Sequence, residues 1–362
     1  MLFCVSIFFS FQLVEFGLKK FDEKKEFSKP KFNDSMLIQK KKTQGAVSAI
    51  PGTIYLNKER INLLPLGGIS LKETIFGNEN GYLVTYNSDR FGFRNEDHIW
   101  EKKIDTVLVG DSFTHGAHVK DRFTIAGVLG QNGLKTLNLG YGGTGPLSQY
   151  AILREYLPEK QIKNVIWCFY EGNDMFDLVK ELQNRVLVRY LEEEKFSQNL
   201  KNQQKIINEM HYRALKKKKK LKSENSETIS EILKYLFSFK RIKNLIFVTY
   251  YSILPAEKEF ERILELAKKL TIKNNAKLYF VYLPEFYRFT DLDKFYNLKY
   301  ESTYKKIKNI AKKHKIEIID VASLFESKVK DPISFFPYRS FGHYNESGYQ
   351  FVGQEINKRL TH

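Results

Sequence analysis

Ile104-Asp-Thr-Val-Leu-Val-Gly-Asp-Ser-Phe-Thr-His-Gly116 is the stretch that decides the fold. Val107, Leu108 and Val109 form an apolar run with no polar alternation, which reads as a strand buried on both faces, as in a parallel sheet. Gly110-Asp111-Ser112 breaks that strand and leaves a hydroxyl at its carboxyl end. Ligands of open α/β sheets bind outside that end. Working outward, Thr136-Leu137-Asn138-Leu139 runs into Gly140, and Val165 to Tyr170 runs into Glu171-Gly172-Asn173-Asp174. Near the C-terminus, Gly342-His343-Tyr344-Asn345 opens a helix from about Ser347.

The same alternation extends over the second half of the chain. Helices are predicted at Phe123 to Leu129, at Pro146 to Tyr156 with proline in the first turn, at Lys258 to Leu270 and at Tyr300 to Lys313. Further strands are predicted at Asn244 to Tyr250, Lys277 to Leu283 and Glu317 to Val321. Strands separated by helices imply a central parallel sheet with both faces covered by helices. Three regions follow: an apolar segment over 1–18, a linker and small β-rich extension over 19–102, and the main domain over 103–362 with a helical insertion at about 177–243. In the extension, Ile54-Tyr55-Leu56 and Tyr82 to Tyr86 alternate as short strands, and Asn87 to Arg94 reads as a turn with aromatic pegs. The insertion contains no glycine or proline from Asp177 to Lys243, which suits long helices, and it carries the basic run Lys216 to Lys220. It is either a solvated excursion or a lid that contacts an anionic surface.

At 362 residues and 42% hydrophobic, the chain can bury a substantial core. The net charge of +17 is spread along the sequence, and no helix-turn-helix, zinc or RNP-type pattern accompanies it, so no nucleic-acid partner is expected. Cys4 and Cys168 both lie in apolar segments and are not expected to pair. The segment before Lys19 is shorter than the ~20 residues that span a bilayer comfortably. An uncleaved anchor, a cleaved signal and a buried N-terminal helix all fit it, and the expectation is an exported or membrane-anchored protein of the cell envelope, with membrane contact through the N-terminus.

A serine hydroxyl is a weak nucleophile until a base takes its proton, and His343 is the candidate base for Ser112. The oxyanion formed by attack on an ester needs pre-aimed donors, which the Ser112 amide, Gly140 and Asn173 can supply. Ser112, Gly140, Asn173 and His343, in that order and each at a strand end or helix start, resemble the four blocks of the SGNH hydrolases, or GDSL-type esterases. The blocks are Gly110-Asp111-Ser112, Asn138-Leu139-Gly140, Gly172-Asn173-Asp174, and His343 with Asn345 and Gly348. The segment Tyr86 to Arg94 is similar to the region leading into membrane-anchored bacterial members related to polysaccharide O-acetyltransferases. The resemblance implies a three-layer α/β/α sandwich with a central parallel sheet, and ester chemistry without metal or other cofactor. It also implies acyl transfer to water or to a sugar hydroxyl, with an acylated carbohydrate or other small ester as substrate. One feature departs from it. The family places an aspartate two or three residues before the histidine, where this chain has Phe341 and Ser340. A remote acid such as Asp331, or Ser340, or a backbone carbonyl is the candidate for orienting His343, and a dyad can still retain part of the rate. The competing expectation is a catalytically impaired module of the same fold that binds glycans.

Two motifs compete for other functions. Gly140-Tyr-Gly-Gly-Thr-Gly145 fits the dinucleotide fingerprint, but it follows the second strand of the domain, and no acid closes a strand about 20 residues on. His115 and His118 have the spacing of half a metal site without a clear third ligand, and are read as exposed loop histidines.

Overall fold

The computed structural model describes residues 30, 32–56, 62–158, 162–224, 256–290 and 294–361. Strands β1 to β3 (Val47–Ser48, Glu73–Gly77, Val84–Asn87) make a small sheet in the extension, in which β1 and β2 are parallel and β2 and β3 antiparallel. Strands β4 to β8 (Thr106–Gly110, Thr136–Asn138, Asn164–Tyr170, Lys277–Leu283, Glu317–Asp320) make a five-stranded parallel sheet in the order β5-β4-β6-β7-β8. The helices in chain order are α1 (Ser35–Thr43), α2 (Ser112–His115), α3 (Ile125–Gln131), α4 (Pro146–Tyr156), α5 (Asp174–Glu181) and α6 (Arg185–Glu192). After these come α7 (Gln204–Glu224), α8 (Ala256–Lys273), α9 (Lys294–Lys313), α10 (Val321–Lys328) and α11 (Glu346–Thr361).

The expected three layers follow from the strands' own residues. Val107, Val109, Val165, Trp167, Phe169, Leu278, Phe280 and Tyr282 enter one buried cluster, with side chains of α4 and α8. Their neighbours Leu108, Ile166, Cys168, Tyr279, Val281 and Leu283 enter the other, with side chains of α3, α10 and α11. Successive residues of a strand face opposite sides, so an uninterrupted apolar run serves both layers at once. Each large side chain so buried contributes about 1.5–3 kcal/mol. Trp167 also donates its indole N–H to Gln149 Oε1 at 2.6 Å, joining β6 to α4.

The order of the sheet locates the functional edge. The chain starts at β4, steps outward to β5, then returns past β4 to β6, so the direction of winding reverses between β4 and β6. Helices leave that point on opposite faces and open a crevice at the carboxyl ends of the strands. Ser112 follows β4 and Asn173 follows β6.

The extension is built into this sheet. Asn95 receives the Asn138 N–H at 2.8 Å and donates to the Asn138 carbonyl at 2.9 Å, so one side-chain amide imitates a neighbouring strand on the open edge of β5. Buried Asp89 holds the turn around it, accepting from the Phe91 and Phe93 amides, from Asn95 and from Trp100. The insertion also packs on the extension. Ile207 and Leu200 are buried, and His211 bridges Tyr55 Oη at 3.0 Å and the Gly67 carbonyl at 2.8 Å. From α5 to about Leu215 the insertion is therefore part of the packed body. Ile54-Tyr55-Leu56 is a 3-10 turn (Gly52–Tyr55) in place of a strand, and part of the expected linker forms α1. The apolar segment 1–18, the strand expected at Asn244 to Tyr250 and the far half of the insertion lie outside the described residues. Among the described residues no helix is long and apolar enough to cross a membrane.

Candidate active site

Ser112 is the first residue of α2, and the sharp turn that puts it there needs Gly110. A Cβ on Gly110 would lie 2.1 Å from Thr114 Oγ1 and 2.7 Å from the Cys168 carbonyl, so β4 turns into α2 only with glycine at its last position. Asp111 caps the turn by accepting the Phe113 N–H at 2.9 Å. His343 arrives from the other end of the chain. Asn345 accepts the Gly348 N–H at 3.0 Å at the start of α11, and Tyr344 donates to the Pro284 carbonyl at 2.7 Å just beyond β7. With the two residues after it fixed, the imidazole lies against Phe113, with ring centroids 4.8 Å apart.

His343 Nε2 lies 2.8 Å from Ser112 Oγ. On its other side, Nδ1 lies 3.1 Å from Glu79 Oε2, and the His343 backbone N–H donates to the same oxygen at 2.9 Å. A carboxylate can only accept, so Nδ1 carries the proton and Nε2 presents its lone pair to the serine. Burial pushes the Glu79 carboxyl up, but its hydrogen bonds with His343 and the electrostatic attraction of the His343 and His118 imidazoles outweigh that and bring it to about 2. Glu79 is thus ionised at neutral pH.

Glu79, not Asp331 or Ser340, stands at this position. Asp331 is drawn away by an ion pair with Arg339. Ser340 is buried, with its backbone N–H on the Pro337 carbonyl at 3.0 Å, and the Nδ1 edge of the ring is already taken by Glu79. Glu79 sits in the loop between β2 and β3, which is pinned on several sides. Asn78 accepts the Gly81 N–H at 2.8 Å, Asn80 donates to the His118 carbonyl at 2.9 Å, and Tyr82 donates to Glu346 at 2.6 Å.

Gly140 also requires correction. Its N–H donates to Asn138 Oδ1 at 2.9 Å and is not presented to the serine. The glycine beside Ser112 is Gly142, where a Cβ would lie 3.6 Å from Ser112 Cβ. Asn173 stands at the start of α5, and its Nδ2 donates to Asp177 Oδ2 at 2.7 Å. An amide nitrogen carries two hydrogens, so this bond orients the group and leaves a second donor.

His115 is buried, against expectation. The Gly142 N–H donates to its Nδ1 at 3.1 Å, so its Nε2 holds the proton and donates to Tyr86 Oη at 3.0 Å. Burial, then the Arg94 charge, lowers its pKa well below the usual histidine value, keeping it neutral. It fixes the Gly142 turn from within. Arg94 donates to the Gly116 carbonyl at 2.6 Å and the Val119 carbonyl at 2.8 Å, holding the loop that carries His118. Burial pushes the Cys168 thiol up to about 12, so this cysteine offers no competing nucleophile.

No family model matches the sequence, and no curated protein matches it. Among solved structures, a protein described as lipolytic and of the G-D-S-L family, from Desulfitobacterium hafniense DCB-2, is similar at 14% identity and a TM-score of 0.41, over 71% of this chain and 99% of that one. An acetyl xylan esterase, AlAXEase, is similar at 13% identity and a TM-score of 0.38, over 71% of this chain and 100% of that one. Neither likeness bears on the chemistry of the site, which stands on its own distances.

Proposed function

We propose that the chain is a serine-dependent ester hydrolase, with Ser112 as nucleophile, His343 as general base and then acid, and Glu79 as the carboxylate that orients and charge-balances the imidazole. The observation that carries this is the continuous line from Glu79 through His343 to Ser112, at 3.1 and 2.8 Å. Ser112 Oγ attacks the ester carbonyl carbon as its proton passes to His343 Nε2. The tetrahedral oxyanion accepts from the Ser112 amide and the free hydrogen of Asn173 Nδ2. Collapse expels the alkoxide, which takes the proton from His343, and water repeats the sequence on the acyl-enzyme. A serine paired this closely with its base favours chemistry over an impaired binding module.

The finer reading is an acyl ester of a carbohydrate or envelope polysaccharide as substrate, and a membrane-anchored or exported protein at the cell envelope. It rests on the apolar segment 1–18 and the basic run Lys216 to Lys220. Acyl transfer to a sugar requires an acceptor hydroxyl held beside the acyl-enzyme, because water otherwise wins by concentration. The test is a short-chain aryl ester offered with and without oligosaccharides. Wild type should release the phenol and Ser112→Ala should not, and a chelator should not abolish the activity. A sugar ester among the products supports transfer; free acid alone at an unchanged rate removes it.

A further inference from the structure

The carboxylate that serves His343 also faces a second histidine. Glu79 Oε1 lies 3.5 Å from His118 Nε2, while Oε2 lies 3.1 Å from His343 Nδ1. One donor atom from each of Glu79, His118 and His343 falls within 4.8 Å of the others, and all three residues are partly buried. Tetrahedral zinc holds nitrogen and oxygen ligands at about 2.0–2.2 Å, which sets them roughly 3.3–3.6 Å apart. The two carboxylate–imidazole separations, one from each oxygen of Glu79, are already close to that range, and the remaining separation lies within 4.8 Å. Two imidazoles and one carboxylate are a donor set that suits zinc and leaves its fourth position to water. Magnesium, which prefers an octahedron of oxygens, is poorly served.

We propose that Glu79, His118 and His343 form a zinc site behind the catalytic base, and that zinc bound there switches the enzyme off. The switching half rests on the esterase reading; the site itself does not. A neutral imidazole has one lone pair. If His343 Nδ1 gives it to the metal, Nε2 must carry the proton, and the group facing Ser112 Oγ across 2.8 Å becomes a donor that cannot accept the serine proton. Glu79 is taken from its orienting role by the same event.

The test uses the full chain and zinc alone. His118→Asn is the chosen variant, because His118 has φ +59°, a region that asparagine tolerates better than most residues. Calorimetry on Ser112→Ala, which cannot turn over ester, should show zinc binding that magnesium does not reproduce. Adding His118→Asn should weaken that binding by on the order of 100-fold, at or beyond the 10- to 100-fold typical of losing a supporting contact. With Ser112 intact, ester hydrolysis should fall with zinc at the same half-saturation and return with chelator, and His118→Asn should shift that curve equally. A zinc-raised melting temperature in Ser112→Ala that is lost with His118→Asn confirms the site in folded protein. Zinc binding unaffected by His118→Asn, or hydrolysis stimulated by zinc, overturns the proposal. Absent binding with hydrolysis intact sinks the zinc site and leaves the esterase reading standing. Binding in a chain that hydrolyses no ester does the reverse: it keeps the site and removes the switch with the enzyme.

Discussion

Glu79 reaches His343 across 264 residues of sequence, and this contact explains how the chain can lack an acid beside its histidine. Glu79→Gln keeps an acceptor for Nδ1 but removes the charge that stabilises imidazolium, and the amide can also favour the wrong tautomer. The expected result is a kcat lower by on the order of 10²- to 10⁴-fold with KM little changed. Asp331→Ala should stay within about twofold of wild type, since its partner is Arg339. Equal losses in the two variants would return the acid to an open question. Asn173→Ala should lower kcat by on the order of 10²-fold, and a loss confined to KM would make Asn173 a substrate-binding group instead. Ser112 and His343 were legible because each sits in a local signal, a strand breaking at glycine or a capped helix start. Glu79 was not, because a carboxylate in an irregular six-residue loop resembles any other surface acid until the fold closes over it. The choice between Gly140 and Gly142 was equally hidden, since it depends on which way a turn carries its N–H.

At the scale of elements, α4 and α5 meet through a buried acid. Glu181, on α5, accepts the Gly145 N–H at 2.6 Å and the Leu147 N–H at 3.0 Å, capping the start of α4 from outside that helix. Burial pushes its carboxyl up to about 7, against the hydrogen bonds of Ser148 and Gly145, and Asp177 adds to the rise. The folded value lies above the ordinary 4.5, so between those limits the folded protein holds a proton that the unfolded chain releases. The resulting stabilisation, about 3 kcal/mol, is complete below pH ~4.5 and is lost as pH rises through about 7. Denaturant midpoints from pH 5 to 8 should therefore fall less steeply in Glu181→Gln than in wild type, and an identical slope would deny Glu181 its role. The element boundaries themselves followed from apolar runs. Lys277–Leu283 and Pro146–Tyr156 match the ranges expected from the sequence, whereas Ile54 to Leu56 has a strand's pattern but pairs with no strand among the described residues.

For the whole molecule, the candidate site draws residues from both the extension and the main domain. The extension supplies Glu79 and ties down β5 through Asn95 and the His118 loop through Arg94. Alternation reveals a parallel sheet because each strand carries its own evidence. Contacts between distant segments leave no such periodic mark, and so the extension's part in the site could not be read beforehand. A chain beginning at residue 103 should accordingly fail to assemble an activated serine even if its sheet forms. The most direct test of the central claim is labelling of the intact protein with a fluorophosphonate, followed by mass mapping of the adduct. Wild type should carry a single adduct on Ser112, Glu79→Gln should acquire it on the order of 10²-fold more slowly, and Ser112→Ala should carry none. Wild type left unlabelled while folded, or an adduct that persists in Ser112→Ala, would contradict the account.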